Sequence, residues 1–174
     1  QGDVGSGKTV VAAACIYFAY QNKAQSALMV PTEILAEQHF QTLSDLLSPL
    51  GMRCALLTGS TKAAERREIL AALKDGTLDL CIGTHALLTD TVEFENLELV
   101  ITDEQHRFGV SQRAKLSQKS EDSHVLVMSA TPIPRTLSLI IYGDLSVSII
   151  DELPPGRKPV DTLVIDSGKR ARAL

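Results

Sequence analysis

Short aliphatic runs alternate along this chain with longer segments in which apolar and polar positions repeat with the period of a helix. The short runs are rich in Val, Ile and Leu and are bounded by turn residues, a pattern typical of strands buried on both faces. They fall at 26–30, 53–57, 79–83, 97–102, 124–128, 146–150 and 160–165. The helical segments fall at 7–21, 32–48, 61–74, 111–119 and 134–142. This alternation predicts an α/β fold with a mostly parallel sheet and helices on both of its faces.

The segment 32–48 shows the helical period clearly. Ala36, Phe40 and Leu43 are spaced by four and three residues and therefore share one face of the predicted helix. Thr32 stands at the position of its N-cap, and Thr61 is the corresponding candidate for the segment 61–74. Because ligands of such folds bind at the carboxyl ends of the strands, the loops after the predicted strands are where we expect function.

The composition is that of one globular domain. The chain has 174 residues, of which 44% are hydrophobic and 22% are charged, so it can bury a core and is not expected to be disordered. Its apolar runs are far shorter than the roughly 20 residues that span a bilayer, so we expect no membrane contact. The formal net charge of −4 argues gently against nucleic-acid binding through clustered Lys and Arg.

The three cysteines, Cys15, Cys54 and Cys81, lie far apart and form no C-x-x-C pair. We therefore expect them to be reduced residues of the core in a reducing compartment. Residues 1–3 do not have the basic and apolar pattern of a secretory signal, so the cytoplasm is the expected location.

Residues 2–9, Gly-Asp-Val-Gly-Ser-Gly-Lys-Thr, match the phosphate-loop pattern G-x-x-x-x-G-K-[ST] and lead directly into a predicted helix. The glycines allow successive backbone N–H groups to turn around phosphate oxygens at the positive end of that helix. The Lys8 ammonium is expected to reach the β- and γ-phosphates, and the Thr9 hydroxyl to bind Mg²⁺. The predicted ATP or GTP site consists of Gly2, Val4, Gly5, Ser6, Gly7, Lys8 and Thr9.

The apolar run at 97–102 ends in two carboxylates, Asp103 and Glu104. In a phosphate-loop enzyme, a carboxylate at the tip of this strand holds Mg²⁺, the role expected for Asp103. Glu104 is then placed to act as the general base that activates water, which favours hydrolysis over transfer to another substrate. A solvated acidic turn is the alternative interpretation of this pair.

Three prolines and a glycine occur within 153–159, a composition that interrupts any regular element. We interpret this stretch as a linker. The predicted domain therefore covers residues 1–152, and residues 153–174 are the linker and the start of a neighbouring domain.

Several short segments together resemble the motifs of superfamily 2 helicases. Residues 103–106 (Asp-Glu-Gln-His) resemble the DExH box, and residues 129–131 (Ser-Ala-Thr) resemble the third motif. Residues 31–33, 58–60 and 83–85 resemble the segments of that superfamily that contact DNA. The longer stretches 1–9, 31–39, 103–110 and 155–160 are similar to the RecG-type branch-migration helicases.

The resemblance implies the first of two RecA-like motor domains, in a monomeric ATP- and Mg²⁺-dependent translocase acting on double-stranded or branched DNA, such as forks and Holliday junctions. It implies that Lys8 and Glu104 are catalytic and that His106, Ser129 and Thr131 couple the nucleotide to the DNA. The DNA contacts that it implies are Pro31, Thr32, Gly59, Ser60, Thr84 and His85. A lone surface histidine at 106 and a simple N-cap at 129–131 are the alternatives from the residues alone.

Two parts of that family's pattern are not found in the sequence. The strand that leads into the phosphate loop is missing, because one residue precedes Gly2, and we therefore expect these residues to be cut from a longer polypeptide. The second RecA-like domain with its arginine finger and the wedge domain are also absent, so the piece alone is not expected to unwind DNA. A translocase of the transcription-repair coupling type, a kinase using the same loop, and a module that binds nucleotide without hydrolysing it are the alternatives.

Overall fold

The structure, a computed structural model, describes residues 1–103, 123–130 and 146–152. Its helices are α1 (Lys8–Gln21), α2 (Glu33–Leu47) and α3 (Ala63–Lys74), with short 3₁₀ turns at Ser48–Leu50 and His85–Leu88. Its strands are β1 (Gln25–Met29), β2 (Cys54–Leu57), β3 (Leu80–Gly83), β4 (Leu97–Asp103) and β5 (His124–Met128). These bounds differ from the sequence-based prediction by a few residues at most.

The five strands form one sheet in the order β2-β3-β1-β4-β5, and all neighbouring strands are parallel. In the central part of the sheet Ser26 lies opposite Leu80 on one side and Leu99 on the other. Because all strands run the same way, their carboxyl ends lie along a single edge of the sheet. The loops that follow β1 to β4 therefore share this edge.

The chain before the phosphate loop runs beside β5. The Gly2 N–H donates to the Ser129 carbonyl at 3.3 Å, and Gly2 forms an isolated parallel bridge with Ile150. The segment that enters the phosphate loop is therefore separated from β4 by β5.

Two apolar clusters hold the helices on opposite faces of the sheet. Leu28 packs in the cluster that contains residues of α1 and α2, whereas its neighbours Ala27 and Met29 pack in the cluster that contains residues of α3. All five residues of β1 are buried, which confirms a strand covered on both faces. Each aliphatic side chain fully buried in this way stabilises the fold by about 1.5–3 kcal/mol relative to leaving it in water.

The start of α2 was predicted correctly, and the start of α3 was not. The Thr32 hydroxyl accepts a hydrogen bond from the Leu35 N–H at 3.3 Å and so caps α2. Helix α3 begins at Ala63 with Lys62 as its N-cap and without a side-chain cap. The Thr61 hydroxyl instead accepts from the Thr58 N–H at 2.9 Å, so it closes the turn after β2 and does not cap the helix.

The strand predicted at 146–150 is also wrong. Of these residues, Ile150 alone takes part in a bridge, with Gly2, and its N–H donates to the Gln1 carbonyl. The elements predicted at 111–119, 134–142 and 160–165, and the linker at 153–159, lie outside the described residues. Within the part of the chain that the structure describes, no helix is long and apolar enough to cross a membrane.

Candidate nucleotide site and strand-end surface

The phosphate loop has the backbone that its sequence predicts. Gly5 and Gly7 adopt positive φ angles of 82° and 93°, in the left-handed region that glycine enters without steric cost. Gly7 is the N-cap of α1 and provides no side-chain acceptor, so the first N–H groups of the helix are available to an anion. The loop therefore presents backbone donors at the positive end of a helix of 14 residues.

Lys8 is the first residue of α1, and its ammonium folds back over the loop. Its Nζ donates to the carbonyl oxygens of Gly2 at 2.7 Å and of Asp3 at 2.8 Å. The positive charge is thereby held at the loop, where the β- and γ-phosphates are expected.

Ser6 and Gly2 form a close contact within the loop. A Cβ atom at Gly2 would overlap the Ser6 hydroxyl oxygen, so a side chain at position 2 would displace Ser6. The Ser6 hydroxyl is buried and has no hydrogen-bond partner among the residues that the structure describes. A buried hydroxyl of this kind fits a loop that receives phosphate oxygens. Val4 lies on the outside of the loop, 72% exposed.

Asp103 is the last residue of β4, at the same edge of the sheet. Its Oδ2 lies 2.8 Å from Nε2 of His39 on α2, and the two side chains are 13% and 11% exposed. No role for His39 was predicted from the sequence. The sequence feature that could have indicated a partly buried His39 is its position three residues after Ala36, at the border of the apolar face of α2.

Thr9 and Asp103 supply a hydroxyl and a carboxylate, the hard oxygen ligands that suit Mg²⁺. No group of three or more His, Cys, Asp or Glu side chains that could hold a metal occurs in the described ranges. The donor set thus fits a metal bound mainly through nucleotide phosphates, as in phosphate-loop enzymes.

The residues predicted to contact DNA follow the carboxyl ends of β1, β2 and β3, which are neighbours in the sheet. Gly59, Ser60 and His85 are exposed. Thr84 is 1% exposed and its hydroxyl has no partner within the described part of the chain, so its side chain does not reach the surface. Pro31 is half-buried, and the Thr32 hydroxyl is used as the helix cap.

Glu33, the first residue of α2, lies in the segment 31–33 but was not among the predicted DNA contacts. Its carboxylate accepts hydrogen bonds from the Ser60 hydroxyl at 2.8 Å and from the Ser60 N–H at 3.2 Å. Glu33 therefore joins the loops that follow β1 and β2, both of which belong to the predicted DNA surface.

Three predicted residues, Glu104, His106 and Thr131, lie outside the described residues. Ser129 is 3% exposed, and its carbonyl receives the Gly2 N–H. The third motif and the phosphate loop are thus in direct contact.

A parallel sheet that carries this loop before α1 and a carboxylate at the tip of β4 defines a phosphate-loop nucleoside triphosphatase. The family model described as DEAD/DEAH box helicase matches residues 1–140, and the chain belongs to that family.

Curated relatives and a solved structure are similar to nearly the whole chain. It is 60% identical over 170 residues to the ATP-dependent DNA helicase RecG of Synechocystis sp., covering 98% of this chain and 20% of that protein. It is 57% identical over 162 residues to the RecG of Bacillus subtilis, covering 93% of this chain and 24% of that protein. A structure of RecG bound to a three-way DNA junction matches with a TM-score of 0.81 and 47% identity, covering 99% of this chain and 23% of that one.

These similarities confirm the predicted resemblance to RecG-type helicases and the RecA-like fold. The chain spans about a quarter or less of the length of the relatives that it matches.

Proposed function

We propose that the chain is the ATP-binding motor domain of an ATP-dependent DNA helicase that translocates on double-stranded DNA and remodels branched DNA, such as forks and Holliday junctions, in recombination and repair. The observation that carries the proposal is that one edge of the sheet holds both the phosphate loop with Asp103 and the predicted DNA loops. The RecG relatives, and the RecG structure bound to a three-way junction, support branched DNA as the substrate.

In the proposed reaction, water attacks the γ-phosphorus of ATP, and ADP and phosphate leave. The loop N–H groups and the Lys8 ammonium bind the phosphate oxygens and offset the charge that develops on them. Thr9 and Asp103 would hold Mg²⁺, which would supply positive charge that stabilises the phosphate oxygens. Glu104 accepts the proton of the attacking water.

We assign the coupling between ATP and DNA to three further residues. His106, Ser129 and Thr131 would relay whether the γ-phosphate is present to the DNA surface, a role that the contact between Ser129 and the phosphate loop supports. Pro31, Thr32, Gly59, Ser60, Thr84 and His85 would follow one strand of the duplex. Of these, Gly59, Ser60 and His85 are exposed and would make the direct contacts, whereas the side chain of Thr84 is buried. Contacts that do not use Lys or Arg reconcile DNA binding with the acidic composition.

We assign residues 1–152 to the first RecA-like domain and residues 153–174 to the linker and the start of the second. We propose that a second RecA-like domain of the full-length polypeptide supplies the arginine finger and that a wedge domain holds the fork. We further propose that the protein is a monomer and acts in the bacterial cytoplasm at the nucleoid.

Phosphate release from ATP by the full-length polypeptide tests the proposal. It is measured without DNA, with linear duplex and with a model fork, for the unmodified protein, Glu104→Gln, and Glu95→Gln as a control at an exposed carboxylate. We expect fork DNA to stimulate release, Glu104→Gln to reduce it by a factor of about 100 or more, and the control to leave it unchanged. Release that is indifferent to every DNA contradicts the helicase proposal, and transfer of the phosphate to an acceptor other than water would indicate a kinase.

A further inference from the structure

The Glu33 carboxylate is held by the hydrogen-bond donors of the loop that follows β2. Its Oε2 accepts from the Ser60 hydroxyl and its Oε1 from the Ser60 N–H, at 2.8 and 3.2 Å. A Cβ atom built at Gly59 would lie 3.1 Å from Oε1, so the carboxylate also lies directly over the glycine. One anionic group thus covers the Gly59–Ser60 turn.

The surroundings of Glu33 favour its charged form. Hydrogen bonds from the Ser60 hydroxyl and backbone lower the pKa of the Glu33 carboxyl, with smaller contributions from the Gly59 backbone and the charge of His85. Glu33 also lies in the first turn of α2, where a negative charge is favourable. At neutral pH the turn therefore binds an anion that belongs to the protein itself.

A DNA phosphate and a carboxylate are acceptors for the same donors. Both carry negative oxygens that take hydrogen bonds from backbone N–H and hydroxyl groups. Two anions at one pair of donors repel each other, so Ser60 can serve Glu33 or a phosphate but not both at full strength.

We propose that the Glu33 carboxylate occupies the position of a DNA backbone phosphate on the Gly59–Ser60 turn, and that DNA binds there by displacing it. This inference rests on the proposed function, because it takes the turn to be a DNA contact. Glu33 then lowers the affinity of the Gly59–Ser60 turn for DNA. It keeps the Ser60 donors in place when DNA is absent, and DNA binding requires the loss of the contact between Glu33 and Ser60.

A purely structural role for Glu33 predicts the opposite effect on DNA affinity. If Glu33 only orders the turn, removing its charge loosens Ser60 and weakens DNA binding. If Glu33 competes with the phosphate, removing its charge strengthens binding, by about three- to tenfold for two hydrogen bonds at an exposed site. The direction of the change separates the two roles.

The experiment measures the affinity of the full-length polypeptide for fluorescent duplex and fork DNA by anisotropy, without nucleotide and at fixed salt. The variants are Glu33→Gln, Ser60→Ala and the double variant. Glu37→Gln is the matched control, because Glu37 is an exposed carboxylate one turn further along α2 and its loss changes the net charge equally. Circular dichroism of each variant checks that it is folded.

We expect Glu33→Gln to bind DNA about three- to tenfold more tightly than the unmodified protein and Glu37→Gln to change the affinity much less. Ser60→Ala should weaken binding, and the gain from Glu33→Gln should become smaller when Ser60 is also replaced, because the hydroxyl is lost and the backbone N–H remains. Unchanged or weaker binding by Glu33→Gln, or an equal gain in Glu37→Gln, overturns the inference and leaves the helicase proposal intact. If the unmodified protein binds no DNA at all, the proposed function fails, and this inference with it.

Discussion

The contact between His39 and Asp103 should contribute measurably to the stability of the chain. The atoms lie 2.8 Å apart and both side chains are largely buried, so solvent screens the interaction little. A hydrogen bond to a charged group contributes about 1.5–3 kcal/mol net. We expect His39→Ala to lower the free energy of unfolding by that amount, because it leaves the Asp103 carboxylate without this donor.

A double-mutant cycle isolates the pair. The free energy of unfolding of the 174-residue chain is measured by urea denaturation for His39→Ala, Asp103→Ala and the double variant. The expected coupling energy is about 1.5 kcal/mol or more. His124→Ala, at an exposed histidine at the start of β5, should change stability by no more than about 0.5 kcal/mol. Effects of His39→Ala and Asp103→Ala that add to within about 0.5 kcal/mol would refute the reasoning.

The same substitution should change the metal requirement of the proposed helicase. His39 fixes one oxygen of Asp103 and so restricts the orientation of the carboxylate. Loss of a residue that orients a metal ligand typically weakens metal binding about 10- to 100-fold. We expect His39→Ala to raise the Mg²⁺ concentration needed for half-maximal phosphate release by about tenfold, whereas an unchanged requirement would show that Asp103 does not need His39 for this role.

Three further predictions concern single residues. A Cβ at Gly83 would overlap the Leu57 carbonyl oxygen in the neighbouring strand. Gly83→Ala should therefore lower the free energy of unfolding, measured in urea, by about 3 kcal/mol, and a decrease below about 1 kcal/mol would contradict this close contact. Burial raises the pKa of the Cys81 thiol to about 12, which leaves about one thiolate in 10,000 at pH 8. Iodoacetamide should therefore modify Cys81 only in the unfolded chain, which mass spectrometry can show. The pKa of Glu33, measured by NMR, should lie below the ordinary glutamate value and rise towards it in Ser60→Ala. Because the folded-state pKa is the lower one, the contribution of this contact to stability is present at neutral pH and is lost only as the pH falls into the acid range.

Elements that depend on local patterns were predicted well. Five of the apolar runs became β1 to β5 and three of the periodic segments became α1 to α3, because burial on both faces of a strand or along one side of a helix is determined by nearby residues. The run at 146–150 did not form a strand. The N-cap at Thr32 is a local feature of the same kind. Thr61 has the same residue type before a helix, yet its hydroxyl is used by the turn after β2. The geometry of the turn decides which backbone N–H the threonine hydroxyl accepts from, and the residue type alone does not indicate this.

The contacts that join distant parts of the site could not be predicted in this way. The phosphate loop is one continuous stretch, so its motif suffices. The pair His39 and Asp103 is separated by 64 positions and the pair Glu33 and Ser60 by 27. Gln25 is a further example: it is 4% exposed, and its amide donates to the carbonyls of Leu73 and Leu78. Such contacts depend on how the helices are set against the sheet, which no local pattern specifies.

Helix α2 contacts both candidate sites. Glu33, its first residue, binds Ser60 on the DNA side, and His39, six residues later and about 9 Å along the axis, binds Asp103 on the nucleotide side. Buried residues such as Ala36 and Leu43 pack this helix into the core between its two contacts. Under the proposed function, we expect a displacement of Glu33 by DNA to affect the carboxylate that would hold the metal.

If α2 carries this coupling, breaking its contact at one end should weaken the response to a ligand at the other. We expect His39→Ala to reduce the ratio of DNA-stimulated to basal phosphate release in the full-length polypeptide, measured at saturating Mg²⁺ so that weaker metal binding does not contribute. His124→Ala, at the exposed histidine of β5, should leave the ratio unchanged. An unchanged ratio in His39→Ala would show that the response to DNA does not depend on the contact between α2 and Asp103.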